Sequence, residues 1–199
     1  EGTIRTEGGT LNLGGNWTNA GGLLAVSEGG LLTIGNGEGT TQAGEVCILS
    51  EGLLQGWGKV DAHLTNFGTV SPGNSAGQIA VTGTYEQEGI LKIEILSRTR
   101  YDQLLIDERA VLGGELDLIL PANATFALGD TFAFLRATSI SGRFEQVIVP
   151  TDTHGNPVFQ LAYGSDNVYL MALQTVPEPS TLTLMALGCL LVATRRRAV

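Results

Sequence analysis

The sequence repeats one short pattern, seen in Gly9-Thr-Leu-Asn-Leu13, Gly30-Leu-Leu-Thr-Ile34 and Gly52-Leu-Leu-Gln-Gly56. A fourth glycine, Gly73, continues the nearly constant spacing of the first three. A strand of four to six residues cannot bury one face alone, but copies stacked at a fixed period can. Like side chains then form ladders about 4.8 Å apart. The repeat predicts an all-β fold, specifically a β-solenoid of the parallel β-helix type, with Leu11, Leu32 and Leu54 stacked inside successive coils.

Beyond Gly73 the repeat loosens, but apolar and polar residues still alternate in short segments separated by turn clusters. These segments are 78–82, 90–95, 114–120, 131–135 and 167–173. No segment before Pro177 has the periodicity of an amphipathic helix. Phenylalanines concentrate late in the chain, at Phe126, Phe132, Phe134, Phe144 and Phe159. Because an open last coil would expose unpaired backbone groups, these bulky residues predict a C-terminal β cap.

The C-terminal residues 176–199 differ in character from the rest. A proline-containing motif (Val176, Pro177, Glu178, Pro179, Ser180) precedes an uncharged stretch and an arginine cluster (Arg195, Arg196, Arg197). The large apolar residues of the stretch are Leu182, Leu184, Met185, Leu187, Leu190, Leu191 and Val192. As a helix it is roughly 20 Å long, short of the roughly 30 Å hydrocarbon core, although arginine stems extend its reach. It predicts a short transmembrane helix with the arginines on the cytoplasmic side.

Three regions follow from these patterns. Residues 1–80 are predicted to be glycine-rich solenoid repeats, 81–175 the end of the β-helix with its cap, and 176–199 the tail with motif, apolar span and arginines.

The tail resembles the PEP-CTERM protein-sorting signal, which combines the Pro-Glu-Pro triplet, an apolar segment and an arginine cluster in this order. That family implies export in a Gram-negative, exopolysaccharide-producing bacterium. It also implies recognition and cleavage by a membrane enzyme, exosortase. A plain tail anchor is the alternative, in which Pro177 and Pro179 only stop the helix from entering the preceding domain.

A second resemblance covers roughly residues 50–175. Its motifs, in order, are Leu64-Thr-Asn-Phe-Gly-Thr-Val-Ser-Pro-Gly-Asn-Ser-Ala-Gly77, Gly83-Thr-Tyr85, Tyr101-Asp-Gln-Leu-Leu-Ile106, Leu112-Gly-Gly-Glu-Leu116, Gly129-Asp-Thr-Phe132 and Ile140-Ser-Gly-Arg-Phe144. They are similar to the final passenger segment of autotransporter-like β-helical surface proteins. An autotransporter would continue into a membrane β-barrel, whereas this sequence continues into the sorting tail. The resemblance therefore implies fold and surface location, and not self-translocation.

Composition agrees with export. Glycine accounts for 28 of 199 residues, about twice its usual share, and the formal charge is −9 despite the terminal arginines. Such an acidic chain has no basic stripe for phosphates, so a nucleic-acid partner is not expected. Cys47 lies in the outer region and Cys189 in the apolar span, so no internal disulfide is expected. Because the sequence starts at Glu1 inside a repeat, without a secretory signal, we expect it to be part of a longer product.

Acidic residues offer the first candidates for catalysis. Glu115 and Asp117 lie two apart on a predicted strand and share a face, as paired carboxylates of glycosidases can. Since nothing else converges there, we interpret them as solvated outward positions. Asp102 and Asp107 flank a short strand and are interpreted as turn caps.

Other catalytic motifs are incomplete. His63 and His154 lack metal-ligand spacing. Ser75 between Gly73 and Gly77 matches the Gly-x-Ser-x-Gly pattern, but a nucleophile elbow needs a helix after the serine and none is predicted. We therefore expect no enzyme activity, no catalytic or metal-binding residues and no cofactor.

The sequence thus predicts an exported, non-enzymatic surface or matrix protein, anchored in the membrane until exosortase processes it. Exopolysaccharide is a candidate partner in a biofilm. Two alternatives stay open: an adhesin that binds a glycan or protein along the solenoid, and the C-terminal part of a β-helical polysaccharide-degrading enzyme.

Overall fold

The structure is a computed structural model that describes residues 3–7, 10–14, 17–19, 23–35, 44–73 and 75–176. These residues form 19 strands, joined in one sheet that curls as a half-barrel, and they contain no helix. The predicted all-β class is therefore confirmed. The transmembrane helix predicted from Leu182 onward lies outside the described residues and stays a prediction.

The strands in chain order are β1 Thr3–Glu7, β2 Thr10–Gly14, β3 Trp17–Asn19, β4 Leu23–Gly35, β5 Gly44–Ile48, β6 Leu53–Asn66, β7 Thr69–Pro72, β8 Gln78–Val81, β9 Tyr85–Gln87, β10 Ile90–Ser97, β11 Arg100–Tyr101, β12 Gln103–Ile106, β13 Arg109–Leu112, β14 Glu115–Ile119, β15 Thr131–Arg136, β16 Ser139–Gly142, β17 Gln146–Ile148, β18 Phe159–Tyr163 and β19 Asn167–Ala172.

Most of these strands pair in parallel, and they form three ladders. The first ladder runs through β1, the start of β4, the start of β6, β7, β10, β14 and β17. The second runs through β2, the end of β4, the middle of β6, β8, β12 and β15. The third runs through β3, β5, the end of β6, β9, β13 and β16. From β1 to β17, apart from the short strand β11, the chain visits the three ladders in turn, and one such passage is called a circuit here. The strands of a ladder therefore pair with their counterparts one circuit away.

Columns of apolar side chains line the inner faces of the ladders. In the first ladder Leu54, Val70, Leu91 and Leu116 stand in register, and all four are fully buried. In strands such as β6, β10 and β14 alternate residues point inward, because successive side chains of a strand leave on opposite faces. Burying one such side chain contributes about 1.5–3 kcal/mol, so the columns are a main source of stability.

The backbone register agrees with the predicted leucine stack for one pair and contradicts it for the other. Leu11 pairs with Leu32, as the repeat predicts. Leu54, however, pairs with Leu24, and Leu32 pairs with Val60. The glycine spacing misleads here because β4 crosses two ladders and its register against β6 shifts between Val26 and Gly30.

A column of glycines marks the corner between the third and first ladders. A Cβ atom on Gly68 would collide with the carbonyl oxygens of Gly52 and Leu49, and one on Gly89 with the backbone of Phe67 and Gly68. Gly114, which has a φ of +56°, is crowded in the same way by the backbone of Glu88 and Gly89. Backbone from the preceding circuit thus occupies the space of each missing side chain, and only glycine fits there.

The second ladder ends against an antiparallel hairpin. Strands β18 and β19 pair with each other, and β19 also pairs with β15 in the second ladder. Phe132 of β15 packs edge-on against Tyr101, Phe126 and Phe159, with ring centroids 5.4 to 5.8 Å apart. The late phenylalanines Phe126, Phe132 and Phe159 therefore collect at this hairpin, where the parallel pairing stops.

Candidate functional site

The junction between body and tail is a short segment, Ala172 to Val176, held along the side of a turn. Val176 and Phe126 exchange backbone hydrogen bonds: the N–H of Val176 donates to the Phe126 carbonyl at 2.9 Å, and that of Phe126 donates back at 3.0 Å. At the start of the segment Gly129 N–H donates to the Ala172 carbonyl at 2.9 Å. Val176 is therefore anchored to the folded body, and it is the first residue of the predicted sorting motif.

The turn that holds this segment, residues 126–130, is itself well supported. Phe126 is buried and its ring centroid lies 5.0 Å from that of Phe159. The Asp130 carboxylate accepts a hydrogen bond from Ala127 N–H at 2.9 Å, and Arg98 Nε lies 3.7 Å from its other oxygen. The junction is thus built on the aromatic cluster and on a closed turn.

At the tip of the turn the surface becomes apolar. Leu128 is 67% exposed, and its backbone N–H donates to the Thr175 hydroxyl at 3.1 Å. Leu173, in the junction segment, is 40% exposed. Two exposed leucines therefore flank the path that leads to the tail.

Most of the predicted tail residues lie outside the described residues. Of the sorting motif only Val176 is described; Pro177 to Ser180, the apolar positions 182–192 and the arginines 195–197 are not. Within the described part of the chain, no helix is long and apolar enough to span a membrane.

The acidic pair on β14 is part of the outer surface of the first ladder. Glu115 and Asp117 share the outward face, as predicted, and both are half-buried. Asp117 lies 3.9 Å from the Lys92 ammonium in the neighbouring strand β10. The ion pair with Lys92 explains why the Asp117 side chain lies on the outer surface. This geometry agrees with the interpretation of Glu115 and Asp117 as solvated outward positions.

The isolated histidines and Ser75 occupy turns and strand surfaces. His63 Nδ1 accepts a hydrogen bond from Thr84 N–H at 2.9 Å, one circuit away. His154 lies beside Asp152 in an exposed turn. Ser75 sits in the turn between β7 and β8, where a strand, and not a helix, follows. Among the described residues, no three His, Cys, Asp or Glu side chains form a group that could hold a metal ion.

Asp102 is the residue whose role the sequence did not reveal. It is buried, with 3% of its surface exposed, and its carboxylate accepts hydrogen bonds from the N–H groups of Gly77 and Glu94, both at 2.9 Å. Burial raises its pKa to about 7, against the lowering effect of these two hydrogen bonds. It joins strand β10 to the turn of the preceding circuit, so it is a structural link and not a turn cap.

An open groove of about 580 Å³ lies next to the turn between β7 and β8, and Trp57, Lys59, Gly77 and Gln78 are among the residues that line it. Trp57 is 41% exposed and stands between Gly56 and Gly58, whose φ angles are +124° and +148°. These angles favour glycine, and they let the backbone turn the corner while the indole stays outside. The groove thus combines a flat aromatic face with polar side chains.

Comparison with known proteins bears on the tail. Residues 175–197 match the family model described as the PEP-CTERM protein-sorting motif. A comparison with curated proteins found no match to the chain. The matched segment begins next to Val176, which is held by Phe126, and it includes the triplet, the apolar stretch and the arginines predicted above. The chain therefore carries a PEP-CTERM sorting motif, which implies export and membrane anchoring before processing.

Proposed function

We propose that this chain is a non-enzymatic surface or extracellular-matrix protein that exosortase sorts and releases from its membrane anchor. The observation that carries the proposal is the motif itself, whose first residue is anchored to the body. In this role the folded region is the exported domain, here called the cargo, and the tail is the sorting signal that exosortase recognises. Association with exopolysaccharide in a biofilm is the setting that the sorting class suggests.

The parallel ladders support a β-solenoid as the form of the cargo. Each circuit adds one strand to each ladder, and the inward columns stay in register from circuit to circuit. Such stacking buries a core along one axis and leaves long outer faces, as expected for a stalk or display scaffold. The antiparallel hairpin acts as the cap, since it covers the end of the second ladder, where parallel pairing stops. A passenger-like body of the autotransporter type is consistent with this arrangement.

The prolines suit recognition by a processing enzyme. Proline has no N–H and a fixed φ, and it disfavours helical geometry in the residue before it. Pro177 and Pro179 therefore favour an extended backbone around Glu178. An extended backbone at the outer membrane face is the form that an enzyme groove can bind.

Changing Pro177, Glu178 and Pro179 together to alanine should block processing and leave membrane insertion intact, because the apolar stretch and the arginines remain. Mass spectrometry of the C-terminus in a host with active exosortase measures this. A Thr181→Ala/Thr183→Ala chain is the matched control and should be processed like wild type. If the mature wild-type protein still ends at Val199, the sorting proposal fails and a simple tail anchor replaces it.

Glycan binding at the Trp57 groove is a second candidate function. The exposed indole offers a flat apolar surface on which the apolar face of a sugar ring can stack. Lys59, whose side chain is 49% exposed, and Gln78 can then bind hydroxyl or carboxylate groups of the sugar. This geometry favours an adhesin-like role along the outer face of the body.

Replacing Trp57 with alanine should weaken binding of alginate oligosaccharides about tenfold, which corresponds to about 1.4 kcal/mol. Isothermal titration calorimetry against alginate and dextran measures the affinity and separates acidic from neutral sugars. Phe67→Ala is the control, because Phe67 is 47% exposed but does not line the groove. Equal affinity of the Trp57 and Phe67 variants, or no binding by wild type, would remove this candidate.

A further inference from the structure

The junction face of the body has the chemistry of a membrane contact. Leu128 exposes 67% of its surface at the tip of the 126–130 turn, and Leu173 exposes 40% in the segment beside it. Arg98, whose side chain is 77% exposed, reaches the same turn through Asp130. Exposed leucines beside an arginine are the combination that lies at the boundary between headgroups and acyl chains.

Chain length places this face close to the lipid. Val176 is anchored to Phe126, and Leu182, the first large apolar residue of the tail, follows six residues later. Six residues span at most roughly 20 Å when fully extended. The headgroup zone occupies roughly 5 to 8 Å of that distance on each side of the bilayer. With the tail inserted, the junction face therefore lies within reach of the headgroups.

Charge also selects this face. The chain has a formal charge of −9, so the body as a whole is repelled by anionic lipids. This face offers apolar contact through Leu128 and Leu173, and it carries the guanidinium of Arg98, which is 77% exposed although it lies near the Asp130 carboxylate. Because the tail tethers the body, its effective concentration at the surface is high and a weak contact is sufficient.

We propose that Leu128, Leu173 and Arg98 dock the body on the outer leaflet, and that this contact sets the height of the Pro-Glu-Pro motif above the membrane. The proposal rests on the proposed function, because it requires the tail to be inserted. Docking holds the motif at a defined depth, where a membrane enzyme can reach it. The occupant of this face is lipid, and not a second copy of the chain or a soluble protein.

The test places an environment-sensitive fluorophore, NBD, on a cysteine introduced at position 128 of the full chain. Cys47 and Cys189 are replaced by serine, and the protein is reconstituted in vesicles of phosphatidylethanolamine and phosphatidylglycerol. We expect the emission of the Leu128→Cys probe to shift to the blue and to be quenched by spin-labelled lipids. A probe at Phe67→Cys should stay as in water. A Leu128 probe that behaves like the Phe67 probe overturns the docking, and so does a blue shift that depends on protein concentration and resists lipid quenching.

The rate of cleavage by exosortase provides a second, independent test of the docking proposal. A Leu128→Ser chain should be cleaved severalfold more slowly by exosortase in cells, with an unchanged melting temperature because this side chain is largely exposed. Unchanged cleavage would contradict the role in setting the height of the motif. The two proposals fail separately: lipid contact without any cleavage of wild type sinks the sorting proposal, and normal cleavage without lipid contact sinks the docking.

Discussion

Replacing Gly89 with alanine should destabilise the protein by more than about 3 kcal/mol, among the largest effects of a single substitution. The added Cβ would lie 2.6 Å from the Phe67 carbonyl carbon and 2.8 Å from Gly68 N, and closer still to the Gly68 oxygen. These are backbone atoms of the preceding circuit, and the Gly68 carbonyl accepts the ladder hydrogen bond from Ile90 N–H at 2.7 Å. The crowding therefore cannot be relieved by a side-chain rotation.

Gly155→Ala is the control that separates crowding from backbone strain. Gly155 has a φ of +83°, so a side chain is disfavoured there, but nothing lies within 4 Å of an added Cβ. A left-handed residue other than glycine costs roughly 1 kcal/mol. Urea unfolding of both variants measures the difference. Similar losses for the two variants would show that the glycine column is not tightly stacked.

Asp102 should make the folded state less stable as pH rises from about 4 to about 7. Its pKa is about 7 in the folded protein, against an ordinary value of 3.8 in the unfolded chain. The folded state therefore binds the proton more tightly, and the stabilisation is fully present below the ordinary pKa and lost as pH rises through the raised one. The difference corresponds to a loss on the order of 4 kcal/mol.

An Asp102→Asn variant tests this link, because asparagine resembles the protonated acid and does not titrate. The fall in the free energy of unfolding between pH 4 and pH 7 should be much smaller in this variant. Asp107→Asn, which removes an exposed carboxylate at the other end of the same strand, should keep the fall. Urea titrations across this pH range give the free energies. A wild-type profile no steeper than that of the Asp102 variant would refute the prediction.

The sequence predicted the features that depend on local pattern. Alternation and glycine spacing indicated strands, and the register of Leu11 with Leu32 followed from the repeat. The partner of Leu54 could not be predicted in this way. The length of a circuit varies along the chain, since the circuit from Glu115 to its partner Gln146 is nearly twice as long as that from Leu53 to Thr69.

The sequence predicted only the part of the site whose residues are contiguous in the chain. The sorting tail could be read from the order of its residues, whereas the role of Asp102 depends on Gly77 in the preceding circuit, which strand pairing brings to its carboxylate. The anchoring of Val176 depends likewise on Phe126, which lies several strands earlier in the sequence. No local pattern marks either contact, because the partners meet only when distant parts of the chain stack.

The anchoring of Val176 also sets an order for folding during export. Each parallel pairing closes a single circuit, and the entropy cost of closure rises only slowly from the shorter circuits to the longer ones. The body can therefore assemble circuit by circuit as the chain emerges, since each circuit needs only the one before it. The last closure joins Val176 to Phe126, and it has to wait until the residue next to Pro177 has crossed the membrane. Completion of the fold therefore requires that Val176, the first residue of the motif, has been exported.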